Sequence, residues 1–149
     1  MTTKVFNGIA DVAVGDLGAT DWLVVDQERV NTFADATGDH QWIHVDTERA
    51  ADGPFGGTIA HGLLTLSLLP QFQFQLIRVD NIAMGINYGY NKIRFLNPVL
   101  VGSRLRARAE VTHVEQKPGA VDVTILTTVE IEGVDKPACV AESISRFIA

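Results

Sequence analysis

The chain has 149 residues, 46% of them apolar and 20% charged, and carries a formal net charge of −6. One domain spanning residues 1–149 is expected, since a chain of this length buries a sizeable core without a disulfide or structural metal. The acidic balance excludes a whole-surface attraction to nucleic acid or to an anionic membrane, so neither is expected as a partner. The stretch MTTKVFNGIADVAVGD has no cationic segment followed by a long apolar one, and the single cysteine, Cys139, has no intrachain partner. No apolar run reaches the roughly 18–20 residues that span a bilayer. A reduced, cytoplasmic protein is expected.

Residues 1–18 are rich in Gly and Ala and are expected to form an arm or loop that packs late. Residues 22–25, WLVV, read as a short strand. Asp26 then stands as an N-cap for a helix on which Val30, Phe33 and Ala34 fall at helical spacing, with Gly38 placed to close it. The turn TGDHQWIHVD follows, and after it a short helical segment over 48–51. The loop DGPFGGTIAHG leads into HGLLTLSLLPQFQFQLI, where only Thr65 and Ser67 interrupt the leucines of 63–69. A helix apolar nearly all round belongs inside, and Pro70, which lacks a backbone donor, is expected to kink or end it.

The remainder alternates with period two. Residues 82–96 read as a strand ending at Asn97-Pro98. Leu105, Ala107, Ala109 and Val111 point one way while Arg104, Arg106, Arg108 and Glu110 point the other. Val121, Val123, Ile125, Thr127, Val129 and Ile131 repeat the pattern, and Lys117-Pro118-Gly119 is a type II turn signal that makes the two strands a hairpin. Residues 138–148 complete the set. Helices first and antiparallel strands last define an α+β domain in which a sheet curls round one buried helix.

The turn TGDHQWIHVD holds Asp39, His40 and His44 within six residues. His40 and His44 have the i, i+4 spacing of a zinc-hydrolase pair, but that motif needs a glutamate beside its first histidine, and Gln41 cannot take a proton. No third ligand follows nearby, so no metal is assigned. A solvated polar turn accounts for a lone Asp and His. What favours chemistry is the nearby Ala60-His61-Gly62 at the start of the buried helix, where backbone N–H groups lack internal partners and carry partial positive charge.

FADATGDHQWIHVD followed by FGGTIAHGLLTLSLLP closely resembles the MaoC-like dehydratase family, the (R)-specific enoyl-CoA hydratases, in the branch typified by nodulation protein N, and RFLNPVLVGSRL is similar to its strand-loop-strand segment. The resemblance implies a hot dog fold, an antiparallel sheet wrapped round a long central helix. It places the catalytic aspartate on Asp39, the catalytic histidine on His44 and the oxyanion-binding amide on Gly62. Gln41-Trp42 stand where the family commonly has Asn-Pro, a change that bears on pocket shape. His40 matches no required position and reads as structural.

The activity implied is reversible hydration of trans-2-enoyl thioesters to (3R)-hydroxyacyl thioesters, carried by coenzyme A or acyl carrier protein, with no cofactor beyond the carrier. A hot dog thioesterase and a non-catalytic acyl-binding subunit are the alternatives. Lys92 and Arg94 are weaker candidates for contact with coenzyme A phosphates. The arginine row reads as a solvated face, Ser67 as bonded to its own helix, and Cys139 as a small core residue. A single unit leaves a sheet edge and part of the helix uncovered, so a homodimer is expected.

Overall fold

Leu105, Ala107, Ala109 and Val111 face the interior with at most 4% exposure, the outcome that period-two patterning dictates for a half-buried strand. The computed structural model describes residues 2–149. In chain order they form β1 (Lys4–Phe6), a 3-10 turn (Ile9–Asp11), β2 (Gly15–Ala19), β3 (Leu23–Val24), α1 (Gln27–Thr37), α2 (Trp42–Val45), α3 (Thr47–Ala51), α4 (Gly62–Ser67), α5 (Leu69–Leu76), β4 (Ile77–Val79), β5 (Met84–Phe95), β6 (Arg104–Lys117), β7 (Ala120–Ile131) and β8 (Cys139–Ile148). The main sheet runs β2-β6-β7-β8-β5, with β3 also paired to β6. All of its pairings are antiparallel. Between β6 and β7, Lys117 pairs with Ala120 and Gly119 takes φ 72 behind Pro118, the positive φ that a type II turn requires at its third residue.

The sheet wraps α4 and α5. Leu64, Leu68, Leu69 and Phe72 pack against Leu105, Ala107, Val129, Cys139 and Ala141 in one buried cluster. Leu76 and Ile77 join Phe6, Leu17, Val111, Val123 and Ile125 in another. The helix breaks at Leu68, and Pro70 falls in the first turn of the new segment, where its missing N–H costs nothing. Asp26 caps α1 by accepting from the Arg29 amide at 2.8 Å, and Gly38 closes it in the left-handed conformation at φ 82. Cys139 is fully buried, and burial pushes its thiol up to about 11.

Three expectations need correction. Of the expected arm over 1–18, the described residues 2–18 are not loose: β2 pairs with β6, β1 pairs with β4, and Phe6, Val12 and Leu17 are buried. Glycine punctuation hid these short strands, because two of the five residues of β2 are glycines. The apolar helix is not buried all round, since Leu63 is 60% and Phe74 78% exposed. And the helix stops at Leu76, where Ile77 turns extended to open β4. Among the described residues no helix is long and apolar enough to cross a membrane.

The arginine row is a face of cross-strand ion pairs. Arg104 reaches Glu132 at 3.0 Å, while Arg106 and Arg108 share Glu130 at 2.7 and 2.8 Å. Across β7 and β8, Arg146 grips Asp122 through two bonds of 2.6 and 2.8 Å, with its guanidinium 4.0 Å from the Tyr88 ring. That grip holds the Asp122 carboxyl below its ordinary value of 3.8. A depressed folded-state value stabilises the protein above the unfolded value and is lost as pH falls through the folded one. Asp122→Asn is therefore expected to lower the melting temperature at pH 7, with the gap to wild type closing as pH drops below 3.8; thermal melts from neutral to acid pH check this.

Candidate active site

The left-handed Gly38 turns the chain out of α1, and Gln41 then opens the single turn of α2. His44, at the end of that turn, is 7% exposed. The turn expected around it is thus a short helix, too brief for periodicity to reveal. Gln27, in the first turn of α1, supports it from behind: its Nε2 donates to the His44 carbonyl at 2.8 Å, and its Oε1 accepts from Thr58 Oγ1 at 2.6 Å.

The segment before α4 is clamped on both sides. Ala60 N–H donates to the Val99 carbonyl and Val101 N–H to the Thr58 carbonyl, while Ile59 N–H donates to the Ile43 carbonyl. The His44 ring closes the clamp, with Nδ1 2.7 Å from the Ile59 carbonyl oxygen. A carbonyl only accepts, so Nδ1 carries the proton, and in the neutral ring the lone pair is on Nε2.

A carboxylate oxygen of Asp39, a ring nitrogen of His44 and a ring nitrogen of His61 lie within 4.8 Å of one another. His44, Ala60, Gly62, Thr65 and Phe95 line a cavity of about 240 Å³. Gly62 opens α4, so its N–H has no acceptor within the helix. A Cβ at Gly62 would come within 3.2 Å of the Phe95 ring, so glycine keeps this wall open. The structure thus puts Asp39 beside His44, and His44 on one cavity with Gly62. Lys92 and Arg94 are exposed on β5 and form no ion pair among the described residues. His40 stands apart, exposed and 2.9 Å from Asp35, whose hydrogen bond raises its proton affinity. Ser67 donates to the Leu63 carbonyl of its own helix at 2.7 Å.

Sequence spacing offered no third metal-capable side chain near Asp39 and His44, yet the fold delivers His61. Its ring is stacked on that of His44, with centroids 3.8 Å apart and planes at 22°. Two imidazoles on one tetrahedral ion hold their centroids roughly 5 Å apart, more than the separation here. The stack suits two packed rings better than two ligands. The available signal was a histidine just before a helix, where Ser, Thr, Asp or Asn is usual.

A sheet wrapped round a helix, with a carboxylate beside an imidazole that shares a cavity with the helix's first residue, defines a hot dog protein of the hydratase and dehydratase class. The chain belongs to the MaoC-like dehydratase family: the family model described as a MaoC like domain matches residues 12–133. It is 56% identical over 150 aligned positions to 3-hydroxyacyl-thioester dehydratase Z of Mycobacterium tuberculosis, covering 98% of this chain and 99% of that one. Nodulation protein N of Rhizobium leguminosarum bv. viciae is 47% identical over 87% of this chain and 83% of its own. Among solved structures, the unliganded R-hydratase PhaJ1 from Pseudomonas aeruginosa superposes with a TM-score of 0.75 at 25% identity, covering 93% of this chain and 83% of that one.

Gln27→Leu removes the support behind His44 and leaves the buried Thr58 hydroxyl without its acceptor. A loss of about 1–3 kcal/mol is expected, to be read by equilibrium urea denaturation.

Proposed function

We propose that this enzyme is an (R)-specific enoyl-CoA hydratase, interconverting trans-2-enoyl and (3R)-hydroxyacyl thioesters. The observation that carries the reading is the meeting of the Asp39 carboxylate and the His44 imidazole, with His44 and Gly62 lining one cavity. The names of the relatives, a 3-hydroxyacyl-thioester dehydratase and an R-hydratase, support it.

Hydration forms a C–O bond at Cβ and a C–H bond at Cα on the same face of the alkene. Asp39 accepts a hydrogen bond from the attacking water and orients it. His44 takes the water's proton on Nε2, because Nδ1 is already committed to Ile59, and delivers a proton to Cα. The π electrons move meanwhile onto the thioester oxygen as an enolate. The Gly62 N–H donates to that oxygen, a stabilisation that grows as charge develops. No cofactor is required beyond the carrier of the acyl group, coenzyme A or acyl carrier protein, and Lys92 and Arg94 offer charge to its phosphates.

A second cavity, of about 400 Å³, lies further along the helix and is lined by Pro70, Gln73, Phe74, Ile86, Asn87 and Ser145. Both cavities sit between the helix and β5, an arrangement that fits an acyl tail laid along the helix from the thioester end. β5 is paired only with β8, and Met84, Ile86, Tyr88, Ile93 and Phe95 along it are each 37–57% exposed. A long unpaired edge rich in apolar side chains, beside the exposed Leu63 and Phe74, fits pairing with β5 of a second copy, which would cover both.

Two measurements test this reading. In an enoyl-thioester absorbance assay on crotonyl-CoA and longer chains, Asp39→Asn and His44→Ala are each expected to lose about 10²–10⁴-fold in turnover while staying folded. The product should be the (3R) alcohol. Near-normal turnover in either variant, or release of free thiol in place of hydration, overturns the assignment. Light scattering at micromolar concentration is expected to report two chains per particle, and Phe74→Lys to shift the population toward one; a monomeric wild type removes the dimer.

A further inference from the structure

His61 is an unusual residue for its place. It stands at the N-cap of α4, yet its side chain makes no capping bond. Instead it reaches back 22 positions, where Nε2–H donates to the main-chain carbonyl of Asp39 at 2.9 Å. The ring is 3% exposed, and its other nitrogen, Nδ1, is buried with no hydrogen-bond partner. A half-satisfied polar ring is a poor way to fill a core, because a buried nitrogen without a partner forfeits its hydration. An apolar ring would fill the slot beside Phe33, whose centroid is 4.8 Å away, without that loss. Packing alone does not explain a histidine here.

We propose that His61 is a positioning residue for the reaction, coupling Asp39, His44 and Gly62, which come from two separate segments. This role rests on the hydration reading above. The hydrogen bond from Nε2–H pins the backbone at Asp39, and with it the point from which the carboxylate projects. The stacked face, 3.8 Å from the His44 centroid and tilted by 22°, blocks rotation of that ring about its long axis. The Nδ1–H bond to Ile59 holds the same ring at its edge. One contact at the edge and one on the face leave the Nε2 lone pair a single direction. His61 is also covalently joined to Gly62, so the amide that receives the enolate oxygen moves with the ring that orients the proton carrier. Attack at Cβ and protonation at Cα must occur on one face of a flat substrate, and a misplacement of about 1 Å is enough to cost roughly 100-fold in rate.

His61 touches no reacting atom in this scheme, so its loss should be felt in kcat and in the state of His44 more than in substrate affinity. His61→Phe keeps a ring in the slot and removes the donor; His61→Gln keeps an amide donor of similar reach and removes the ring. Both are to be assayed beside wild type and His44→Ala, with melting curves, and with ¹⁵N spectra of labelled histidine to report which nitrogen of His44 carries the proton. Each variant is expected to fold, to lose roughly 10–100-fold in kcat with KM within about threefold of wild type, and to replace the Nδ1–H signature of His44 with a mixed one. A folded His61→Phe with kcat within about twofold of wild type, or an unchanged His44 signature in both variants, overturns the proposal. If wild type hydrates no enoyl thioester, the hydration reading falls by itself, and the ¹⁵N signature alone then decides whether His61 sets the His44 ring.

Discussion

Ile59 joins the two halves of the site through two hydrogen bonds to neighbouring residues. Its amide donates to Ile43 and its carbonyl accepts from the His44 ring at 2.7 Å. The first bond brings the segment after α1 against the segment before α4. The second fixes which nitrogen of His44 carries a proton, so one main-chain group sets both the position and the tautomer of an imidazole. The surroundings of Ile59 are held in turn: Val99 and Val101 bond to Ala60 and Thr58 on either side of it, and Gln27 braces α2 from α1. These bonds tie irregular backbone from both sides, while Nδ1 of His61 beside them is left without a partner.

The helix that the sheet encloses has two faces with different roles. The buried face, Leu64, Leu68, Leu69 and Phe72, supplies the packing that keeps the sheet curled. The other, with Leu63 and Phe74, lies open beside an equally open β5. The first turn of the helix lies where these faces meet the cavity at Gly62, so the amide with no partner in the helix is held by the core and yet reaches solvent. The break at Leu68 separates this end from α5, letting each half follow the curvature of the sheet.

Charge is managed apart from the site. Glutamates on β7 and the loop after it neutralise the arginines of β6, and Asp122 answers Arg146, so these cations serve the sheet. The exposed Lys92 and Arg94 lie on β5, the strand that also ends at the cavity wall with Phe95.

Much was legible from residue order alone. Alternation in 104–111 and 121–131, the turn at Pro118-Gly119 and the leucine-rich segment after Gly62 are local patterns whose physical cause acts over a few residues, and together they imply a sheet round a helix. Asp39, His44 and Gly62 were legible through motif resemblance. Short strands broken by glycine, such as β2, were not, because their stability comes from a partner 89 or more residues away. Tertiary structure alone decided that His61 lies on His44 and that Nδ1 of His44 is the protonated nitrogen. It also decided which leucines stay exposed. Each of these depends on contacts between segments distant in sequence, which pairing and packing create only once the chain has folded.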